Sequence, residues 1–89
     1  MERRRVRYEG GVQGVGFRAT ACWLAGRHPV TGWVRNEEDG AVLLEAQGAR
    51  DALDSFLRAL RVRMAGNIRH ESGGPVPLIE NEAAFEIRR

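Results

Sequence analysis

Lysine is absent, and all 14 basic residues are arginine. That choice alone carries no function. Cysteine occurs once, at Cys22. No disulfide can form within the chain, and a reducing compartment is the easier setting. Long apolar runs are missing too. The longest stretch of low polarity, Ala19 to Gly26, is far too short to span a bilayer. The basic N-terminus lacks the apolar core of a signal peptide behind it. Histidine occurs twice, at His28 and His70, and with one cysteine at these spacings it makes no metal-site pattern. Aromatic residues are 7% of the chain, and no strand carries the stacking pair that reads unpaired bases. These absences point to a cytoplasmic protein with no membrane span and no metal site, and they argue against nucleic acid as a partner.

Apolar residues are 43% of the chain and charged residues 29%, an ordinary globular balance. Its 89 residues suffice for one domain, 1–89, with one core. A monomer is expected. The net charge of +2 falls short of a dedicated nucleic-acid binder. The positive excess sits in Arg3, Arg4, Arg5 and Arg7 and in Arg88 and Arg89, and the Arg3–Arg5 run reads as a solvated strand end.

Residues 3–9 alternate in part, with Val6 and Tyr8 two apart, and read as a strand. Apolar groups at Phe17, Ala21, Leu24, Ala25 and His28 form a helical stripe over 18–28, which Pro29 stops. Residues 30–36 and 41–47 read as a hairpin around the Asp39–Gly40 turn signal. Ala52, Leu53, Phe56, Leu57 and Leu60 mark an amphipathic helix over 49–63, closed by Gly66. Residues 67–72 are a possible fourth strand, the Gly73–Gly74–Pro75 run reads as loop, and 84–88 close the chain as a short strand with Phe85 and Ile87 inward. The order βαββαβ is a ferredoxin-like α/β sandwich of the α+β class, an antiparallel sheet with two helices on one face. Such a fold hosts many functions, so the function has to come from a site.

Four of the seven residues from Gly10 to Gly16 are glycine. They lie between a strand and a helix start, where backbone N–H groups are unpaired and the dipole is positive. Glycine lets consecutive N–H groups turn into one concavity, a nest for an anion. Arg18, in the first helical turn, adds a guanidinium that matches phosphate. A Walker loop is excluded, because no Gly-Lys-Ser/Thr follows. The dinucleotide fingerprint is excluded by its spacing. The residues alone leave two readings open: a cradle for one phosphoryl group, or a tight glycine turn beside a solvated arginine. Asn36 ends the second strand. In a split βαβ unit the first and second strands run parallel around the third, roughly 9–10 Å apart. Arg18 and Asn36 then flank one edge of the sheet, with room for a small tetrahedral anion and a water.

The pair "VQGVGFR" at 12–18 and "GWVRN" at 32–36, followed by Asp39–Gly40, resembles the acylphosphatase family. The likeness is dense from Tyr8 to Gly48 and thinner beyond. It implies a metal-independent hydrolase that cleaves acyl phosphates to a carboxylate and inorganic phosphate without a cofactor. By the same resemblance Arg18 is the phosphate-binding arginine and Asn36 the residue that positions the attacking water. The loop amides of Val12, Gln13, Gly14, Val15, Gly16 and Phe17 hold the phosphate. Departures exist. Gly11 stands where the family often has a basic residue, and His28-Pro29-Val30 replaces the usual Leu-Gly-Leu. The 66–81 region departs most. A non-catalytic module that binds phosphate or carbamoyl phosphate is the alternative.

His28 and His70 read as structural. Cys22 lacks a base to activate it and reads as a packed thiol. Trp33 points away from Asn36 by strand alternation and reads as sheet-face packing.

Overall fold

Seven elements follow one another in the computed structural model, which describes residues 1–89. They are β1 (Glu2–Gly10), α1 (Phe17–Ala25), β2 (Thr31–Asn36), β3 (Val42–Gly48), α2 (Arg50–Arg63), β4 (Ile68–Pro75) and β5 (Phe85–Arg88). The strand order is β4-β1-β3-β2-β5. β1 and β2 each pair antiparallel with β3, and β4 pairs antiparallel with β1. This is the expected antiparallel sheet. β5 pairs parallel with β2 and makes the whole sheet mixed.

Alternation sorts the strands into two faces. Val6, Tyr8, Val34, Val42, Leu44 and Ala46 point to the helices and form the core with them. From α1 the predicted stripe of Phe17, Ala21, Leu24 and Ala25 is buried. From α2 it is Leu53, Phe56, Leu57 and Leu60. The side chain of Phe56 is fully buried, with the ring of Phe85 5.6 Å away and that of His28 6.0 Å away. Truncating such a ring to alanine costs about 3–5 kcal/mol. Charge also suits α2: Asp51 stands in its first turn, and Arg61 and Arg63 in its last. α1 stops at Ala25, short of the expected His28. The Gly26 N–H closes it on the carbonyls of Cys22 and Trp23, and the ring of His28 bonds the Leu24 carbonyl at 2.8 Å.

Two further expectations fail here, both for reasons distant in sequence. β4 runs on through Gly73, Gly74 and Pro75, which had read as loop. A Cβ at Gly73 would stand 2.0 Å from the Arg5 carbonyl oxygen, so the glycine marks close strand approach. Pro75 is tolerated because β4 is an edge strand. Arg3, read as solvated, is 1% exposed. Its Nε donates to Glu45 at 2.6 Å, and its two Nη atoms donate to Glu82 at 2.8 and 3.2 Å. Residues 76–84 must cross from β4 at one edge to β5 at the other, and they pass over this arginine. Gln47 holds the crossing segment through the Ile79 carbonyl (2.9 Å) and N–H (2.8 Å).

Candidate active site

Because β1 and β2 both oppose β3, and β5 follows β2, the C-terminal ends of β1, β2 and β5 share one edge. β1 leads there into the glycine loop. The loop is fixed at both ends and free in the middle. Gly11 exchanges two bonds with Asn67, N–H to carbonyl and side-chain amide to carbonyl, each 3.0 Å. Val12 is fully buried in the core. The side-chain Nε2 of Gln13 donates to the carbonyls of Glu37 (2.7 Å) and Ala41 (2.9 Å) in the β2–β3 turn. Phe17 anchors the far end against Tyr8, ring centroids 4.9 Å apart. Between these anchors Gly14, Val15 and Gly16 are exposed. Gly14 and Gly16 have φ of +75° and +78°, the left-handed region where a side chain is strained.

The turns leave donors free. The first amide of α1 that bonds back is Thr20, to the Gly16 carbonyl at 2.9 Å. No side chain caps the helix N-terminus. The backbone N–H groups of residues 13–19 therefore have no acceptor within the protein. Arg18 is half-buried and forms no ion pair. Its one bond is from Nη1 to the Arg88 carbonyl of β5, at 3.3 Å. Asn36, at the end of β2 on the helix-facing side with Val34, is half-buried, and its side chain has no protein partner.

A cavity of about 310 Å³ opens at this edge. Of the predicted site residues, Val12, Gly14, Gly16, Phe17, Arg18 and Asn36 line it. Gln13 and Val15 do not: the first is turned to the hairpin, the second to solvent. Ala19, Ile87 and Arg89 line it without having been singled out. Ile87 had read as inward-facing. It pairs with the buried Val34 on the helix side of the sheet but is 45% exposed, because β5 is the edge strand and nothing lies beyond it at the cavity mouth. Only the parallel pairing of β5 with β2 brings it there, and no local pattern announces that pairing. Arg89, at the chain end, has no carboxylate partner.

The other residues weighed from the sequence lie away from this cavity. Cys22 contacts the Phe85 carbonyl through sulfur at 3.8 Å. Trp33 lies on the opposite sheet face, 4% exposed, with the guanidinium carbons of Arg35 and Arg88 each 5.0 Å from its ring centroid. The Tyr8 hydroxyl is buried without a partner, and burial raises its pKa, so the phenol stays protonated and packs.

A family model described as Acylphosphatase matches residues 4–87. The chain is 56% identical over 55 residues to an acylphosphatase of Salinibacter ruber, an alignment covering 62% of this chain and 58% of that protein. It is 41% identical over 91 residues to an acylphosphatase of Clostridium acetobutylicum, covering 98% and 97%. The crystal structure of acylphosphatase from Bacillus subtilis superposes with a TM-score of 0.88 at 31% identity, covering all of both chains.

Proposed function

The chain belongs to the acylphosphatase family, whose reaction is the hydrolysis of acyl phosphates, and from that premise we propose that Arg18 and the loop amides hold the phosphoryl group while Asn36 positions the water. One observation carries this assignment. A single cavity gathers an arginine without a carboxylate, a helix start with open N–H groups and an asparagine without a partner. Structural polar groups are normally satisfied; these are open to solvent and to a ligand.

The chemistry asks for little more. A water oxygen attacks phosphorus, the bond from phosphorus to the acyl oxygen breaks, and the carboxylate leaves with its electron pair. The carboxylate is a good leaving group, so no acid has to protonate it. Charge spread over the equatorial oxygens is met by the amides of residues 12–17 and the guanidinium of Arg18. Asn36 is no base at neutral pH. It orients the water, and the proton passes to a phosphoryl oxygen. The acyl group extends toward the cavity mouth by Ile87 and Arg89. Positive charge comes from Arg18 and the helix start, so the reaction is expected to run without a metal. The protein works as a cytoplasmic monomer, a placement supported by its single free cysteine. No helix is long and apolar enough to cross a membrane.

The test is hydrolysis of benzoyl phosphate, followed with and without EDTA and with inorganic phosphate as inhibitor. Turnover that survives chelation, with competitive inhibition by phosphate, is expected. Phosphate binding without turnover would favour the non-catalytic module, and activity that EDTA abolishes and magnesium restores would overturn metal independence.

A further inference from the structure

Gln13 lies in the loop but takes no part in lining the cavity. Its carboxamide is spent elsewhere. Nε2 carries two hydrogens, and two carbonyls take them: Glu37 at 2.7 Å and Ala41 at 2.9 Å. These carbonyls face each other across the neck of the hairpin, where the Glu37 N–H also bonds the Ala41 carbonyl at 2.8 Å. Glu37 is the residue directly after Asn36, and Asn36 itself pairs with Val42, directly after Ala41. No other hydrogen bond joins the glycine loop to the hairpin neck; the further link nearby is the ion pair of Arg7 in β1 with Asp39 in the turn. The loop hangs from β1 and α1, while Asn36 hangs from β2, with β3 between the strands.

We propose that Gln13 is a positioning residue for the reaction: its carboxamide fixes the distance between the loop that holds phosphate and the hairpin neck that carries Asn36. This rests on the reading that Asn36 orients the water. Phosphate affinity is set by the loop and Arg18. The alignment of water with phosphorus is set by how the two pieces stand to each other, and Gln13 is the side chain that bonds one to the other. A misplacement of about 1 Å can cost roughly 10²-fold in rate. Loss of the clamp should therefore appear in kcat and leave KM nearly alone.

The experiment is a double-mutant cycle on benzoyl phosphate hydrolysis with Gln13→Ala, Asn36→Ala and the pair, each checked by circular dichroism. Gln13→Ala is expected to lower kcat by about 10- to 10²-fold with KM and the phosphate inhibition constant within about two-fold of wild type. In the Asn36→Ala background the same change should cost little more, because the group it positions is gone. Gln13→Met, which keeps the volume and removes both donors, should behave as Gln13→Ala does and stands in for it should the smaller side chain compromise folding. Full additivity, or a loss confined to KM, overturns the clamp. Asn36→Ala with wild-type kcat overturns instead the reading on which the clamp rests. A slow Asn36→Ala beside a fast Gln13→Met overturns the clamp alone.

Discussion

Two arginines near opposite ends of the sheet show what separates a charge used by the fold from one the fold leaves open. Arg3, at the start of β1, is sealed under residues 76–84 and bonded to Glu45, Glu82 and Gln47. Arg18, beyond the other end of β1, has one long bond to a backbone carbonyl and no carboxylate. Burial of a guanidinium is costly unless carboxylates meet it, and Arg3 has two. Arg18 stays half in solvent, beside amides that are unpaired as well. One end of the molecule is complete in itself. The other leaves its polar groups open, as the proposed anion cradle requires.

The largest break in this contrast is Arg18→Ala. On the proposed reading it removes charge that touches the phosphoryl group in the ground and the transition state, so kcat should fall and KM rise together. A loss in kcat/KM on the order of 10³ to 10⁵ is expected, the scale of an arginine acting on phosphoryl charge. Stability should barely move, since no ion pair is lost. Arg3→Ala reverses the pattern. It strands Glu82 and half of the Glu45 network, and chemical denaturation should show a loss of about 3–5 kcal/mol. The folded fraction should keep its turnover rate.

Asn36→Ala sharpens the comparison within the site. On the proposed reading Asn36 touches the water more than the substrate, so kcat should drop by about 10² to 10³ with little change in KM, and the fold should survive. Acid gives the smallest effect. For Glu45, burial raises the carboxyl pKa, but the bonds from Arg3 and Arg5 outweigh it and hold the group below the ordinary glutamate range. Glu82 is likewise lowered, burial against it and Arg3 for it. A depressed carboxyl stabilises the fold above its unfolded-state pKa and loses that contribution as pH falls through the folded-state value. Thermal stability should therefore decline on acidification below the glutamate range, and Glu82→Gln should flatten that decline.

What could be read from the sequence was local. The stripe from Phe17 to Ala25 and that from Leu53 to Leu60 repeat at helical spacing, and both are buried where expected. Arg18 and Asn36 stand out because a short motif surrounds each, and both line the same cavity. What escaped was set by contacts across the fold. Gly73 looks like a loop residue until the Arg5 carbonyl is seen against it. The burial of Arg3 depends on Glu82, 79 positions away. Ile87 and Arg89 reach the cavity only through the parallel pairing of β5 with β2. Gln13, read as one more loop amide, turned out to spend its side chain on the hairpin.

The central claim is that the open end of the sheet is an anion cradle built from the loop and Arg18. Titration of ¹⁵N-labelled protein with inorganic phosphate, followed by amide chemical shifts, tests it without relying on turnover. Saturable shifts concentrated in residues 12–19 and at Asn36, with those around Arg3 unmoved and the whole response lost in Arg18→Ala, are the predicted result. Saturable shifts centred elsewhere on the sheet, or an undiminished response in Arg18→Ala, would contradict it.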